Sequence, residues 1–312
     1  MTRRNPVNRA QRRVERPPRE RFATRSLAYD VDGETARGTL YLPPGTDDPP
    51  AIVMAPGLAA ERSFGYPAAA ERFADAGYAA FCFDHRGFGA SDGDDQAVSP
   101  TRQRADAAAA LDRLSRVDAL GSRRILWGTS LSGGTALSLA AERHDVDAAI
   151  GVAPLLDGRR LCRSRGGRYV VGGALIGIRD RLGRRIGRGR SVPVVGGSEE
   201  FALLTEPGTQ RGYLDLVDRK SRWRNETPAR SVVGLLGHRP IERIEEVTVP
   251  TLLLAGTDDP VVPAERVAEA AEQLDRGTFV SMPMDHFSAF GSDFEPAIGH
   301  QLSFLRDVFD RE

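Results

Sequence analysis

The sequence predicts an α/β fold in which helices cover both faces of a mainly parallel central sheet. Short and wholly apolar segments, such as "AIVMA" and "AAFCFD", are typical of strands that are buried on both faces. Segments with helical hydrophobic spacing separate these strands along the chain. The 312 residues, of which 40% are hydrophobic, are enough to bury a full core.

The first half of the chain alternates between strand and helix patterns. "TRSLAYDVDG" followed by "ETARGTLYLP" predicts an antiparallel hairpin that turns at Asp32-Gly33. Four further strands are predicted from apolar segments, namely "PAIVMAPG", "YAAFCFD", "RRILWGT" and "VDAAIGVAP". The helices predicted between them are "FGYPAAAERFADAG", "PTRQRADAAAALDRLSRV" and a segment that starts at Ser130.

The alternation stops for about 95 residues and then resumes with two strands and two helices: "VPTLLLAGTDD", "PAERVAEAAEQL", "GTFVSMP" and "FEPAIGHQLSFLRDVF". We therefore expect a core formed by residues 23–154 and 249–312. Residues 155–248, which are Gly/Arg-rich at first, are expected to form an inserted cap. Residues 1–22 are Arg/Pro-rich and polar and are predicted to be a disordered basic tail.

Positive charge is concentrated in two segments although the formal net charge is zero. Residues 1–25 contain nine Arg and two Glu, and residues 159–190 contain eleven Arg and one Asp. Such clusters can indicate nucleic acid or an anionic membrane as a partner. Neither segment interleaves aromatic residues for base stacking, which argues against nucleic acid. We expect a solvated tail and an amphipathic lid, with binding of an anionic partner as the alternative.

The sequence carries no sign of export, membrane insertion or cofactor binding. The Arg-rich start is not followed by the apolar stretch of a secretory signal. The apolar stretch "VVGGALIGI" has nine residues, whereas a bilayer span needs about 20. Cys82 and Cys162 lack metal-binding spacing, and no phosphate-binding fingerprint is present. We expect a cytoplasmic protein that binds neither a metal nor another cofactor.

The segment "ILWGTSLSGG" (125–134) has the strand–turn–helix context of a nucleophile elbow. Residues two positions on either side of the turn must be small, and here they are Gly128 and Ser132. Ser130 is therefore the predicted nucleophile. Ser132 is the alternative nucleophile, although the elbow would then lie half a helical turn further into the helix. A plain helix N-cap would explain Ser130 but not the surrounding glycines.

A base and an acid are predicted from two later loops that leave strands, where ligands of parallel sheets bind. His286, in "MDHFSAFG", precedes the last helix and is the expected base. His85, in "DHRGFGASDG", is expected to shape the pocket wall instead. In "GTDDPVVP", a turn or helix start at Pro260 favours Asp259 as the acid, with Asp258 making local hydrogen bonds.

Two backbone N–H groups are expected to stabilise an oxyanion. One belongs to Leu131, which follows the predicted nucleophile at the start of a helix. The other belongs to Leu58, because Gly57 allows the chain to turn there. Phe64 and Phe88, with the apolar segment "YVVGGALIGI", are candidates for an acyl-binding pocket.

Over residues 23–310 the chain resembles serine hydrolases of the α/β-hydrolase superfamily. It is similar to small hydrolases grouped with dienelactone hydrolases and Xaa-Pro peptidase-like acyl hydrolases. The motifs that carry the resemblance are "MAPGLAAER", "FDHRGFGASDG", "LWGTSLSGG", "WRNETPAR", "GTDDPVVP" and "DHFSAF". The resemblance implies an α/β-hydrolase fold and the chain order Ser130, Asp259, His286 for the triad.

The chain departs from these relatives at two positions. Pro56 stands where they usually have His, and Ser132 replaces the final Gly of the elbow. A dienelactone hydrolase proper would have Cys at position 130, so the Ser there argues against that narrow activity.

The predicted function is a carboxylesterase-like hydrolase that cleaves a small ester, thioester or lactone through an acyl-enzyme. A peptidase or an acyltransferase on the same triad is the alternative enzyme. A non-catalytic binding protein on a hydrolase fold is the alternative from another class.

Overall fold

A computed structural model describes residues 22–93, 96–184 and 187–309. The strands in these ranges are β1 Ala23–Val31, β2 Glu34–Leu42, β3 Ala51–Ala55, β4 Ala79–Asp84, β5 Arg124–Thr129, β6 Ala148–Val152, β7 Ser191–Val192, β8 Thr227–Pro228, β9 Thr251–Gly256 and β10 Gly277–Met282. Eight of them form one sheet in the order β1-β2-β4-β3-β5-β6-β9-β10, and β7 and β8 form a separate pair. β1–β2 and β2–β4 pair antiparallel, and the other neighbours in the large sheet pair parallel.

The helices surround this sheet and alternate with its strands, as the sequence pattern predicts. Their bounds are α1 Tyr66–Asp75, α2 Pro100–Leu114, α3 Leu131–Ala140, α4 Gly158–Ser164, α5 Gly167–Gly183, α6 Thr209–Leu216, α7 Ser231–Gly237, α8 Ala264–Ala271 and α9 Phe294–Phe309. Short 3₁₀ helices cover Pro240–Glu246 and Ser288–Phe290. Every residue of β3, β4, β5, β6 and β9 is buried, which is the pattern expected of strands covered on both faces.

The predicted hairpin at the edge of the sheet is confirmed. β1 and β2 pair from Ala23 opposite Leu42 to Val31 opposite Glu34. Asp32 and Gly33 both have positive φ, 55° and 82°. This is the backbone of a type I′ turn, whose twist matches that of the strands it joins.

The segment between β6 and β9 contains α4–α7, the β7–β8 pair and one 3₁₀ helix, and none of its described residues joins the eight-stranded sheet. We call residues 155–248 the cap segment. The basic tail predicted for residues 1–22 lies outside the described residues except for Phe22, whose ring is 5.6 Å from that of Tyr41. No helix in the described ranges is both long enough and apolar enough to cross a membrane.

Candidate active site

A strained turn between β5 and α3 carries Ser130. Its φ of 52° and ψ of −122° lie in a region that residues other than Gly rarely occupy. The Ser130 N–H donates to Val152 O at 2.9 Å, and the Ser130 carbonyl accepts from Gly133 N at 3.0 Å and Leu155 N at 2.8 Å. These bonds from β6, α3 and the following loop hold the strained conformation in place.

Close backbone packing explains the glycine before the turn. A Cβ added to Gly128 would stand 2.1 Å from the carbonyl oxygen of Ser132, so only Gly fits between β5 and α3. Ser130 is the N-cap residue of α3, but its side chain makes no capping hydrogen bond. The N-cap interpretation therefore does not account for this serine.

The three side chains expected to form a triad lie in one hydrogen-bonded series. His286 Nε2 is 2.9 Å from Ser130 Oγ, and His286 Nδ1 is 2.7 Å from Asp259 Oδ2. The other oxygen of Asp259 accepts the N–H groups of Val261 (2.8 Å) and Val262 (2.9 Å). All three triad side chains are buried. The loops after β5, β9 and β10 thus bring together residues that are up to 156 positions apart.

The environment of His286 favours its charged form. Burial acts to lower the pKa of His286, but the charge of Asp259 and its hydrogen bond outweigh burial and raise the pKa above 6.5. In the neutral ring, Nδ1–H donates to the Asp259 carboxylate and Nε2 is left to accept the Ser130 hydroxyl proton. Asp258, the other acid considered, is exposed.

The two backbone groups expected as oxyanion donors flank Ser130. Leu131 is the first residue of α3, so its N–H has no intrahelical acceptor. Leu58 lines the same cavity as Ser130. A Cβ added to Gly57 would lie 3.5 Å from Ser130 Cβ, so the loop passes the elbow at van der Waals distance. The Gly57 N–H donates to Tyr66 Oη at 2.9 Å, which fixes the loop from its other side.

The cavity beside Ser130 is small and apolar. Its volume is about 30 Å³. Aliphatic and aromatic side chains form most of its wall, and no Asp, Glu, Lys or Arg of the described chain lines it. The apolar and aromatic lining residues are Leu58, Ala60, Phe64, Tyr66, Leu204, Tyr213, Leu216, Phe287 and Phe290.

The other proposed pocket residues lie elsewhere. Phe88 is buried in the core and is not part of the cavity lining. The segment "YVVGGALIGI" belongs to α5 and does not reach the cavity either. A larger cleft of about 600 Å³ runs between the loop after β6 and α8, but it contains neither Ser130 nor His286. Of these two cavities, the small one is lined by Ser130 and His286, whereas the larger cleft is lined by Pro260, Val261 and Val262, next to Asp259.

Comparison with known families agrees with this geometry. Residues 48–280 match the family described as "Serine aminopeptidase, S33". The chain belongs to this hydrolase family. The match, together with the solved structures below, confirms the resemblance to serine hydrolases of the α/β-hydrolase superfamily.

Relatives of this S33 chain include proteins of different named activities. The quorum-quenching protein AidA of Acinetobacter baumannii is 28% identical over 286 residues, which cover 90% of this chain and 94% of AidA. The thiohydrolase aneE of Aspergillus aculeatus is 39% identical over 129 residues, or 41% of this chain and 40% of aneE. The polyketide transferase grgF of a Penicillium species is 35% identical over 129 residues, or 41% of this chain and 43% of grgF.

The crystal structure of the α/β hydrolase GrgF from Penicillium sp. sh18 superposes with a TM-score of 0.80. It is 22% identical and covers 92% of this chain and 99% of GrgF. At this level of identity the comparison shows the fold.

A second buried series of polar contacts, Ser132–His85–Asp106, was not predicted from the sequence. Ser132 Oγ donates to the carbonyl of Pro56 at 2.5 Å and lies 3.3 Å from His85 Nε2. His85 Nδ1 is 3.3 Å from Asp106 Oδ2, and all three side chains are fully buried. His85 therefore lies in the interior instead of on the pocket wall, and Ser132 is more than a small residue in the place of Gly. The three residues are far apart in sequence, so no local pattern reveals their contact.

The cap segment holds the loop that carries Leu58. Tyr213 Oη donates to Leu58 O, and Trp223 Nε1 donates to Ala59 O, both at 2.9 Å. The rings of Tyr213 and Trp223 pack edge-on against Phe64, with centroids 6.2 and 6.0 Å away. The cap segment and the core thus meet at the candidate oxyanion loop.

Proposed function

We propose that the chain is a serine-dependent hydrolase that cleaves an ester or thioester through an acyl-enzyme. The observation that carries the proposal is the series Asp259–His286–Ser130 on a strained elbow, next to two candidate N–H donors. A serine hydroxyl is a weak nucleophile, and this arrangement supplies the base that activates it and the acid that orients the base.

In the proposed mechanism, Ser130 Oγ attacks the substrate carbonyl while His286 Nε2 takes the hydroxyl proton. The N–H groups of Leu58 and Leu131 stabilise the resulting oxyanion. The tetrahedral intermediate collapses, and the leaving alcohol or thiol departs with the proton held by His286. Water then attacks the acyl-enzyme as His286 takes its proton, and His286 returns that proton to Ser130 Oγ as the acid is released.

The cavity lining indicates a neutral, apolar acyl group as the substrate class. No charged residue lines the wall that could bind a carboxylate or an ammonium group. At about 30 Å³, the cavity holds roughly one water molecule. We infer that the cap segment moves away from Phe64 to admit an acyl group larger than this. The relative named as a thiohydrolase supports including thioesters among the bonds cleaved.

Aminopeptidase activity, which the family description names, fits the cavity less well. An aminopeptidase substrate carries an ammonium group close to the scissile bond, and burying that charge without a partner is unfavourable. No carboxylate lines the cavity to bind it.

Acyl transfer is the second candidate, because one relative is named a polyketide transferase. The acyl-enzyme would be the same, and a second nucleophile would replace water in the last step. Adding alcohols or amines to the assay and identifying the products separates transfer from hydrolysis.

The test is a panel of p-nitrophenyl esters of increasing acyl length, with a thioester and an amino-acid p-nitroanilide. We expect turnover of the esters and the thioester, little turnover of the anilide, and labelling of Ser130 by a fluorophosphonate probe. Ser130→Ala should abolish both labelling and turnover. Ser26→Ala, at an exposed position of β1, is the matched control. Near-normal turnover by Ser130→Ala would overturn the proposal.

A further inference from the structure

Helix α5 of the cap segment exposes an apolar stripe. Val171, Leu175, Ile178 and Leu182 are 59%, 53%, 52% and 61% exposed. Their spacing of four, three and four residues places them on one face of the helix. They are four of the seven large hydrophobic residues that are exposed in the described chain, so exposure of this kind is concentrated on α5.

The opposite face of α5 is packed against the protein. Gly173 and Gly177 allow close approach to α7, because an added Cβ would stand 2.6 Å from Val232 Cγ1 and 2.7 Å from Val233 Cγ2. This packing fixes which face of α5 is turned to solvent.

A buried carboxylate fixes the same orientation. Asp180 accepts hydrogen bonds from the backbone N–H groups of Arg190 (2.7 Å) and Arg230 (3.2 Å). It also pairs with the Arg230 guanidinium at 3.1 Å. Because Asp180 is the one acidic residue of segment 159–190 and is buried, the exposed surface of that segment carries positive charge.

Arginines border the apolar stripe on both sides. At 100° per residue, Arg168 and Arg179 lie along one edge of the stripe and Arg181 along the other, and all three are exposed. Arg159, Arg160 and Arg163 add further exposed cations on or next to α4. An apolar face bordered by cations is the pattern of a helix that lies in the plane of a membrane interface.

We propose that α5 docks on an anionic lipid surface. The four aliphatic side chains enter the boundary between headgroups and acyl chains, and the flanking arginines contact lipid phosphates. A second copy of the chain fits less well, because it would bring two cationic faces together. Nucleic acid fits less well too, because bases stack on aromatic rings and the stripe has none.

The test is cosedimentation of the full chain with phosphatidylcholine vesicles that contain or lack phosphatidylglycerol. We expect binding to the anionic vesicles only, and weaker binding as salt is raised. The variant Leu175→Gln/Ile178→Gln should lower the partition coefficient about tenfold or more, because it removes half of the stripe. Leu214→Gln, at another exposed leucine on α6, is the matched control and should bind as the wild type does.

Two results would overturn this proposal. One is equal vesicle binding by the wild type and the double variant, which would show that the apolar stripe does not carry the binding. The other is dimerisation of the wild type, but not of the variant, in sedimentation velocity without lipid. Both variants change exposed side chains, and equal thermal melting curves verify that they fold.

A different observation carries a second inference, which rests on the proposed function. The carbonyl of Pro56 is held by Ser132, which in turn contacts the buried His85–Asp106 pair. Pro56 lies two residues before Leu58, and proline has no N–H of its own with which to anchor this stretch. We infer that Ser132 and His85 are positioning residues for the oxyanion donor at Leu58.

Ser132→Ala removes the hydroxyl that holds Pro56. We expect kcat to fall about tenfold with little change in KM, because an oxyanion donor acts mainly in the transition state. The acid limb of the pH profile should stay in place, since His286 is untouched. Ser138→Ala, at a half-buried position of the same helix, is the matched control and should keep the kcat of the wild type.

A purely structural role for Ser132 predicts a different result. In that case Ser132→Ala would have a lower melting temperature but an unchanged kcat. This outcome, with Ser130→Ala still inactive, would overturn the inference and leave the proposed function in place. Activity in Ser130→Ala would instead refute the proposed function itself.

Discussion

At the residue scale, the proposed mechanism makes activation of Ser130 depend on the protonation of His286. Only the neutral ring accepts the hydroxyl proton, and the Asp259 carboxylate raises the pKa of His286 above the ordinary value of 6.5. The same carboxylate fixes the tautomer through its 2.7 Å contact with Nδ1. One acid thus controls both the orientation of the base and the pH range in which it works.

We predict that kcat/KM falls on acidification with an apparent pKa above 6.5, because protonated His286 is inactive. Asp259→Asn should lower kcat by about 10⁴-fold and move the acid limb to lower pH, since burial alone lowers the pKa of His286. The measurement is a pH–rate profile with a p-nitrophenyl ester.

Asp258→Asn is the control for this profile. Asp258 is the neighbouring acid, but it is exposed, so its replacement should leave both kcat and the acid limb close to the wild type. A larger loss in Asp258→Asn than in Asp259→Asn would show that the acid is assigned to the wrong residue.

The proximity of the three candidate triad residues could be predicted from the sequence because each follows a strand that is recognisable on its own. The direction of the Asp259 side chain depends on two local N–H groups, which the turn at Pro260 already suggests. The Ser132–His85 contact could not be predicted in this way. It joins residues 47 positions apart whose pairing depends on how the sheet assembles.

At the scale of elements, the turn from β5 to α3 sets the position of the proposed nucleophile, Ser130. Its geometry depends on the absence of a side chain at Gly128, where the strand and the helix pass each other. The strain at Ser130 is therefore maintained by packing around the turn and not by the serine itself.

We predict that Gly128→Ala destabilises the protein by about 3 kcal/mol or more, because the new methyl would overlap the Ser132 carbonyl. Gly299→Ala in α9 is the matched control. A Cβ there meets no atom within 4 Å, so stability should stay equal or rise by up to about 1 kcal/mol. Urea unfolding of both variants measures the difference. Equal stability of the two variants would contradict the packing argument.

The central strands were predictable because they are short, wholly apolar segments, and the core helices because their hydrophobic residues have helical spacing. The helices within the cap segment were not predicted, because the segment is rich in Gly and Arg and α4–α7 are mostly short. In α5 the apolar residues suggested a substrate pocket, whereas the structure turns its stripe outward. The packing of Gly173 and Gly177 against α7, together with the buried Asp180, determines which face of this helix is buried.

At the scale of the whole molecule, a buried histidine of the cap segment packs against the core helix α3, because a Cβ added to Gly134 would stand 2.7 Å from His238 Nε2. His238 Nε2 lies 3.0 Å from the carbonyl of Leu155, and burial lowers the pKa of His238 to about 4. Folded His238 is therefore neutral at pH values where the unfolded chain protonates it.

We predict that this histidine makes the fold sensitive to acid. Because its pKa is lower in the folded state, its contribution to stability is present above about pH 6.5 and is lost as pH falls towards 4. The loss is roughly 3 kcal/mol. Urea unfolding at several pH values measures it, with His238→Gln as the comparison. An equally steep loss of stability in His238→Gln would contradict this assignment.

In the proposed mechanism, the small size of the cavity gives the cap segment a part in admitting the substrate. Tyr213 and Trp223 hold the loop of Leu58 and pack on Phe64, so movement of the cap would open the pocket and release the loop together. We propose that substrate entry and assembly of the candidate oxyanion site are linked through these contacts.

The most direct test of the proposed chemistry is mass spectrometry of the intact protein, quenched with acid soon after mixing with a p-nitrophenyl ester. The mechanism predicts a single added acyl group, mapped to Ser130 and missing from Ser130→Ala, together with a burst of p-nitrophenol. Steady ester turnover with no acyl adduct in the wild type, or with an adduct at another residue, would contradict it.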